Sequence, residues 1–490
     1  MDRSSKIGVA VICLFALPFA AFGLFALSHA GSFTEQGTGK PIFWLPVLFG
    51  VVFSSIGFGL LFLAFFGAKR FAGQQRLQAE HPAEPWLWRA DWAAGRVLSK
   101  TRGNMIGAWV FAILWNLVSA PVAILVVPAA LKQKGPVALI ALVFPVAGAF
   151  LLIRAIKLTV GFLEFGKTWF EMASVPGIIG RELKGTIHAK FPHSPDHGVH
   201  LRLSCVRYLT TGSGNSQSTT ESILWRDETD LDPGRLCPGP MGTMIPVAFH
   251  IPADAHATER ISPREQYVWM VEAMADAPGV DYHDIFEVPV FRTANSPTAA
   301  EAAAQEKVFA ASAPAVCAPE RPTVQVQRTS GGTEFYFPPA RNKSFAASTT
   351  MFTAIFGALT FFLLNHKVLF LFPLVFGFFS VLLFYISVRL WLGTTRVLIG
   401  NSLKVQEGLL GYGKVRDITF TDIVSIGDKI TAQQGGGTGT PFYDIQAKLR
   451  DGKTVTLGHF LASKREVEWL TSEMRRLTGL AARTAAAGAS

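Results

Sequence analysis

The chain has 490 residues, half of them hydrophobic and only 16% charged, with a formal net charge of +10. Soluble globular chains carry about 25% charged residues, so this balance argues against an ordinary soluble enzyme. The basic excess sits beside apolar runs rather than in Lys/Arg tracts interleaved with aromatics, so it gives no reason to invoke nucleic acid.

Six long apolar runs organise the chain, at residues 7–27, 42–66, 105–131, 136–153, 345–364 and 368–391. Each is near or above the roughly 18–20 residues that cross about 30 Å of hydrocarbon as a helix. Backbone groups in lipid must pair within their own segment, so six helices grouped four and two are predicted. The first run follows Arg3 and Lys6 and ends before Ser28-His29-Ala30, which is the outline of a signal peptide. Its apolar stretch exceeds the usual 7–15-residue signal core, so a retained anchor is expected, with cleavage after Ala30 as the alternative.

The next segment, 68–104, holds Lys69, Arg70, Arg76, Arg89, Arg96, Lys100 and Arg102 against Glu80, Glu84 and Asp91. The loop before it has only Lys40 and Glu35. Basic loops are retained on the cytoplasmic side, which predicts an N-in, C-in protein of a bacterial inner membrane. Both soluble modules are then cytoplasmic. Arg154, Lys157, Lys167, Arg389 and Arg396 agree with this topology, while Lys132, Lys134 and Lys367 dissent. Within the same segment, Pro85-Trp86-Leu87-Trp88-Arg89-Ala90-Asp91-Trp92 is the densest tryptophan cluster. Trp favours the headgroup level, and Arg89 and Arg96 are one heptad apart. Trp86, Trp88, Arg89, Trp92 and Arg96 are therefore expected on a helix lying in the membrane interface, with a partner-binding surface as the alternative. A Pro-Trp-Leu-Trp-Arg segment before a span also resembles a family of bacterial multi-pass membrane proteins and implies no particular activity.

After the fourth run, Gly161 to Thr168 literally match G-x-x-x-x-G-K-[ST], a phosphate-binding pattern. That chemistry needs a loop between a strand and a helix, whereas this segment leaves an apolar helix and carries two Phe and Glu164. It is read as a chance match.

From Gly180 to Phe291 the period changes to two. Val199, Leu201, Leu203 and Cys205 share one strand face, as do Ile245, Val247, Phe249 and Ile251, then Tyr267, Trp269 and Val271, then Phe286, Val288 and Val290. Turns at 211–215 and 277–279 separate such strands, which predicts a two-sheet antiparallel sandwich. The order Leu183-Lys184-Gly185, Ile245-Pro246-Val247, Tyr267-Val268-Trp269 and Phe286-Glu287-Val288-Pro289-Val290-Phe291 resembles one lobe of the arrestin fold. The resemblance implies an interaction module. Asp281, Tyr282, His283 and Asp284 gather acid, base and hydroxyl between two strands, as a polar or metal site would, though a solvated loop explains them as well. His193, His197 and His200 lack a convincing third ligand and read as surface histidines. Cys13, Cys205, Cys237 and Cys317 form no Cys-x-x-Cys pair, so free thiols are expected and neither metal nor cofactor is indicated.

An Ala-rich linker at 293–320 is followed by strands at 324–327 and 335–337. Beyond the last two apolar runs, short strands, the Asp451-Gly452 turn and a helix opening at Ser463 with Glu466 three residues on fill the segment to Leu480. A curled sheet closed by one C-terminal helix after a membrane pair resembles the bacterial pleckstrin-homology-like domains. This implies a module that binds partners or lipid headgroups, or self-associates.

The predicted organisation is a four-span region at 1–160, a β-sandwich at 161–340, a membrane hairpin at 341–392, a pleckstrin-homology-like domain at 393–480 and a disordered tail at 481–490. The apolar runs hold almost no ionisable group near their midpoints, which counts against ion-coupled transport. The expected role is a non-enzymatic scaffold, regulator or assembly subunit that contacts lipid and protein. The alternatives are an accessory subunit of a transport or envelope-biogenesis complex and a membrane-bound enzyme.

Overall fold

The computed structural model describes residues 3–30, 44–121, 142–191, 195–212, 217–239, 242–298, 322–365 and 371–480, with positions 124, 300, 301, 304, 318 and 319 besides. The chain divides into two compact units. One is Met1–Arg202 with Thr229–Thr258 and Trp269–Ser296, and the other is Leu203–Glu228 with Glu259–Val268 and Pro297–Ser490.

The helices of the first unit are α1 (Arg3–Ser28), α2 (Trp44–Glu80), the single turn α3 (Ala90–Ala93), α4 (Thr101–Pro121) and α5 (Val143–Phe165). The antiparallel pair α1 and α2 packs through small residues. A Cβ on Gly57 would collide with the Ala20 backbone, and one on Gly23 with that of Ser54. Gly and Ala at these positions let the two backbones approach closely. The pair α4 and α5 adds polar links: Asn116 Nδ2 donates to the Gly148 carbonyl at 3.0 Å, and Trp109 Nε1 to Thr159 Oγ1 at 2.8 Å.

Among the described residues, three helical segments are long and apolar enough to cross a membrane: Phe144–Phe165, Lys343–Asn365 and Pro373–Leu392. The six runs expected from sequence are thus three by this measure. The first three runs are helical where described, within α1, α2 and α4. The remainders at 42–43, 122–123, 125–131, 136–141 and 368–370 lie outside the described residues. The fourth run is also displaced. Its helix continues to Phe165 because apolar residues resume at Ile156, Leu158 and Val160, leaving Arg154 and Lys157 on the helix body.

Twelve strands are described in this region, and the alternation read from sequence holds best at 242–250 and 282–288. One sheet has the order β1-β2-β4-β8-β7, formed by β1 (Arg96–Leu98), β2 (Trp169–Met172), β4 (Glu182–Ala189), β8 (Gly242–His250) and β7 (Cys237–Gly239). The second runs β11-β10-β5-β6, formed by β11 (Tyr282–Val288), β10 (Glu265–Ala275), β5 (Val199–Thr211) and β6 (Ser218–Leu231), with β9 (Glu259–Ser262) beside β10. A short parallel pair joins β3 (Gly177–Ile178) to β12 (Val290–Phe291). Phe170 of β2 meets Phe286 of β11 with ring centroids 6.3 Å apart, so the two sheets share a core. The strands β5, β6 and β10 contribute residues to both units.

In the second unit, a five-stranded sheet runs in chain order from β13 (Gln325–Thr329) and β14 (Gly332–Phe337) to β15 (Gly393–Ile399), β16 (Leu403–Leu409) and β17 (Tyr412–Ile418). A three-stranded sheet holds β18 (Ile423–Gln434), β19 (Thr440–Leu449) and β20 (Thr454–Leu461). The helices α6 (Lys343–Asn365) and α7 (Leu371–Leu392) lie in sequence between β14 and β15, which are hydrogen-bonded neighbours with Phe337 opposite Thr395. A sequence boundary at 340 therefore divides strands that belong to one sheet, because the pairing partner of β14 arrives only after the helical hairpin. Phe335, Phe337, Val397, Tyr443, Leu457, Val467, Leu470 and Met474 share one buried core, closed by α8 (Lys464–Leu477). The Ser463 hydroxyl caps α8 by accepting from the Glu466 amide at 3.3 Å. The Glu466 carboxylate turns elsewhere, accepting from the Thr323 and Val324 amides at 2.6 and 2.9 Å. Residues 299, 302–303, 305–317 and 320 of the Ala-rich linker and the whole tail after Leu480 lie outside the described residues, as do His193 and Cys317.

Candidate functional site

The tryptophan-rich segment is folded onto the sandwich. Pro85–Trp88 is a 3-10 turn and Ala90–Ala93 one α-turn, so the continuous interfacial helix expected from the spacing is absent. Arg89 between them is extended, and Pro85 denies the chain an amide donor where a longer helix would need one. Trp92 is buried and donates from Nε1 to the Glu287 carbonyl at 2.8 Å. Trp86 meets the Phe291 ring at 5.4 Å, and Trp88 donates to the His81 carbonyl at 2.7 Å. Arg89 lies 4.2 Å over the Trp92 ring and pairs with Asp91 at 2.8 Å and Glu287 at 2.6 Å. Burial works against its charge, but the Asp91 hydrogen bond and the charges of Glu287 and Asp91 outweigh it, and the pKa is raised. Arg96, on β1, makes only a half-exposed contact with Glu171 at 3.6 Å.

The polar quartet after Gly279 is split by strand parity. On β11, Tyr282, Asp284, Phe286 and Val288 point inward, while Asp281 and His283 are exposed. Tyr282 sits between the rings of Phe165 and Phe191, at 5.1 and 4.9 Å, and burial followed by the Asp284 charge pushes its phenol well up, so it stays protonated. The Asp284 carboxylate accepts from Thr168 Oγ1 at 2.5 Å and from the hydroxyls of Ser99 and Thr101. These hydroxyls belong to the junction of β1 with α4 and the strand entry after α5. Lys100 adds an ion pair to Glu287 at 2.6 Å, and its amide bonds to the Ile285 carbonyl. A buried carboxylate with its acceptor positions filled by hydroxyls is a fastening for helix ends rather than a free base. His283 points the other way, its Nε2 3.4 Å from Glu272.

Gly161 to Phe165 form the last turn of α5, and Gly166 ends it in a left-handed conformation. The order is helix then strand, the reverse of a phosphate loop. A cleft of about 110 Å³ opens there, lined by Ser99, Thr101, Arg102, Phe162, Lys167 and Thr168.

The second unit holds a charged cluster that no sequence motif announces. His459 Nδ1 is 3.2 Å from Asp444 and its Nε2 3.6 Å from Glu407, which also pairs with Arg389 at 3.2 Å. Burial opposes the His459 charge, yet the Asp444 hydrogen bond and the charges of Asp444 and Glu407 lift its pKa to about 9. The neighbouring His459, resisted by burial and helped by Arg389, holds Glu407 at about 2. Arg341 donates to the His459 carbonyl at 2.8 Å and Asn342 to the Phe460 carbonyl at 2.6 Å, fixing the entry to α6. Burial lowers Arg341 to about 10 despite the nearby charges of Glu466 and Asp444. The sequence signal for this cluster was present only as an acid, Asp444, between Tyr443 and Ile445 in the buried stretch of β19.

Among the described residues, no group of three His, Cys, Asp or Glu side chains is placed to hold a metal ion. No protein-family model matches the chain, and no curated sequence does. A solved structure, that of the sporulation control protein Spo0M from Bacillus subtilis, is 12% identical over 49% of this chain and 78% of that one. The TM-score is 0.19, a superposition too loose to carry fold or function between them. What stands is a chain of long apolar helices joined to many β-strands in several sheets.

Proposed function

We propose that the chain is a multi-pass protein of a bacterial inner membrane, with six spanning helices, that presents two cytoplasmic β-modules as a non-enzymatic scaffold, regulator or assembly subunit. The observation carrying this reading is the insertion of α6 and α7, both long and apolar, between two paired strands of one sheet. Such an insertion fastens a folded module to the bilayer through backbone alone. Four strands from β14 to β17, three from β18 to β20 and the closing α8 support a pleckstrin-homology-like module. The two-sheet sandwich supports an arrestin-like one, and both would serve interaction. Of the two carboxylates that sequence offers for chemistry, Asp284 is the buried one and is occupied in fastening the start of α4, which favours the scaffold over an enzyme. A fluorescent-protein and alkaline-phosphatase fusion pair after Ser490 tests the topology, with fluorescence and no phosphatase activity expected. Alanine at Asp281 and His283 should leave function unchanged at equal abundance; loss of function would instead argue for an enzyme.

A further inference from the structure

Leu409 and Tyr412 pair across the end of β16 and β17, leaving Leu410-Gly411 as the turn, and Leu410 holds the position that hairpins ordinarily give to Asn, Asp or Gly. Leu410 adopts φ 52°, in the left-handed region that a leucine occupies only under strain. It gains no core contact in return. Leu410 is 60% exposed and Tyr412 86%, with Leu409 and Val415 exposed beside them. An apolar tip held in a costly conformation and left bare in the chain is explained by something apolar outside it.

Its location says what that is. The Leu410 amide donates to the carbonyl of Leu392, the last residue of α7, at 2.8 Å. The Gly411 amide donates to Thr394 Oγ1 at 2.8 Å, and Leu409 lies opposite Gly393 in the sheet register. The tip is therefore level with the end of α7, where Trp391 is also partly exposed. Behind the tip come the exposed cations Lys414 and Arg416 on β17, and Arg396 with half of its side chain exposed. Apolar residues leading, tyrosine at the margin and basic residues behind is the order of a segment seated in a lipid headgroup layer.

We infer that the β16–β17 turn is a lipid-inserting finger that seats the C-terminal module on an anionic bilayer surface beside α7. The inference rests on the reading of α6 and α7 as membrane spans. It assigns Leu409, Leu410 and Tyr412 to the acyl–headgroup boundary, and Lys414, Arg416 and Arg396 to lipid phosphates.

The test uses the full chain with its four cysteines replaced (Cys205→Ala, the others by Ser), reconstituted one copy per nanodisc. A polarity-sensitive fluorophore is attached in turn at Leu410→Cys, Tyr412→Cys, Phe384→Cys in α7 and Asp451→Cys in the β19–β20 turn. The expected result is blue-shifted emission, quenched by brominated acyl chains, at 384, 410 and 412, with a water-like signal at 451. Quenching at 384 with water-like emission at 410 and 412 would overturn the finger and leave the spans standing. A blue shift at 410 without lipid quenching would also overturn it, by showing a protein contact instead. Absence of quenching at 384 would remove the spans and the finger together.

Discussion

Both units carry a pair of helices in sequence between two hydrogen-bonded strands, β1 and β2 in the first and β14 and β15 in the second, and they differ in what braces the joint. In the first, side chains brace α4 and α5 heavily: Asp284 gathers three hydroxyls, Glu287 takes Arg89 and Lys100, and Trp92 fills the space beside them. In the second, the strand pairing is longer, from Thr333 opposite Ile399 to Phe337 opposite Thr395, and the charges around His459 only trim the junction. The first pairing covers three residues, Arg96 to Leu98, and so leans more on its side chains. Single substitutions should therefore weaken the first joint more than the second.

The largest expected effect is at Trp92. Replacing it by alanine removes a buried indole and leaves the Glu287 carbonyl unpaired, at a cost of about 3–5 kcal/mol. Limited proteolysis of the purified protein should then cut near Arg89 well before the C-terminal module. Asp284→Ala comes next, at about 3 kcal/mol, since it removes the charged acceptor of the Ser99, Thr101 and Thr168 hydroxyls. Thermal unfolding in detergent reads that loss, and Asp284→Asn should recover part of it.

In the second unit the corresponding handle is pH, and the effect is smaller. His459 is raised to about 9, so its contribution is complete below its ordinary value near 6.5 and is lost as pH climbs through 9. Glu407 is lowered to about 2, so its share is present above roughly 4.5 and disappears as pH falls through 2. The His459–Glu407 pair contributes to both shifts, with Asp444 adding to that of His459 and Arg389 to that of Glu407, and its partial solvation limits it to about 1–2 kcal/mol. Melting of the C-terminal module should be flat between roughly pH 4.5 and 6.5, and His459→Gln should abolish the alkaline limb and shrink the acid one. An alkaline limb that survives this variant would place the titration elsewhere. Smallest is Ser463→Ala, which deletes the α8 cap for about 1 kcal/mol.

Alternation at period two exposed the sandwich core well. Val199, Leu201, Leu203 and Cys205 are all buried, as are Ile245, Val247, Phe249 and Ile251. The cap at Ser463 and the apolar face of Val467, Leu470 and Met474 were equally legible. Local pattern fails where the partner is distant in sequence. Trp86 to Trp92 satisfy the spacing of an interfacial helix, but Glu287 and Phe291 lie about two hundred positions away and draw the segment onto the sandwich. Strand β14 looked like the end of one domain because its neighbour β15 is separated from it by the whole helical hairpin. Asp284 shows that parity could have gone further: an acid in step with Phe286 and Val288 must be buried and must find donors.

The central claim is that long apolar helices hold the sandwich on the cytoplasmic side. Cys237 is an exposed native thiol of that sandwich. With Cys13, Cys205 and Cys317 replaced, a membrane-impermeant maleimide should label Cys237 only after spheroplasts are permeabilised. Labelling of equal extent in intact spheroplasts would place the sandwich outside and contradict the account.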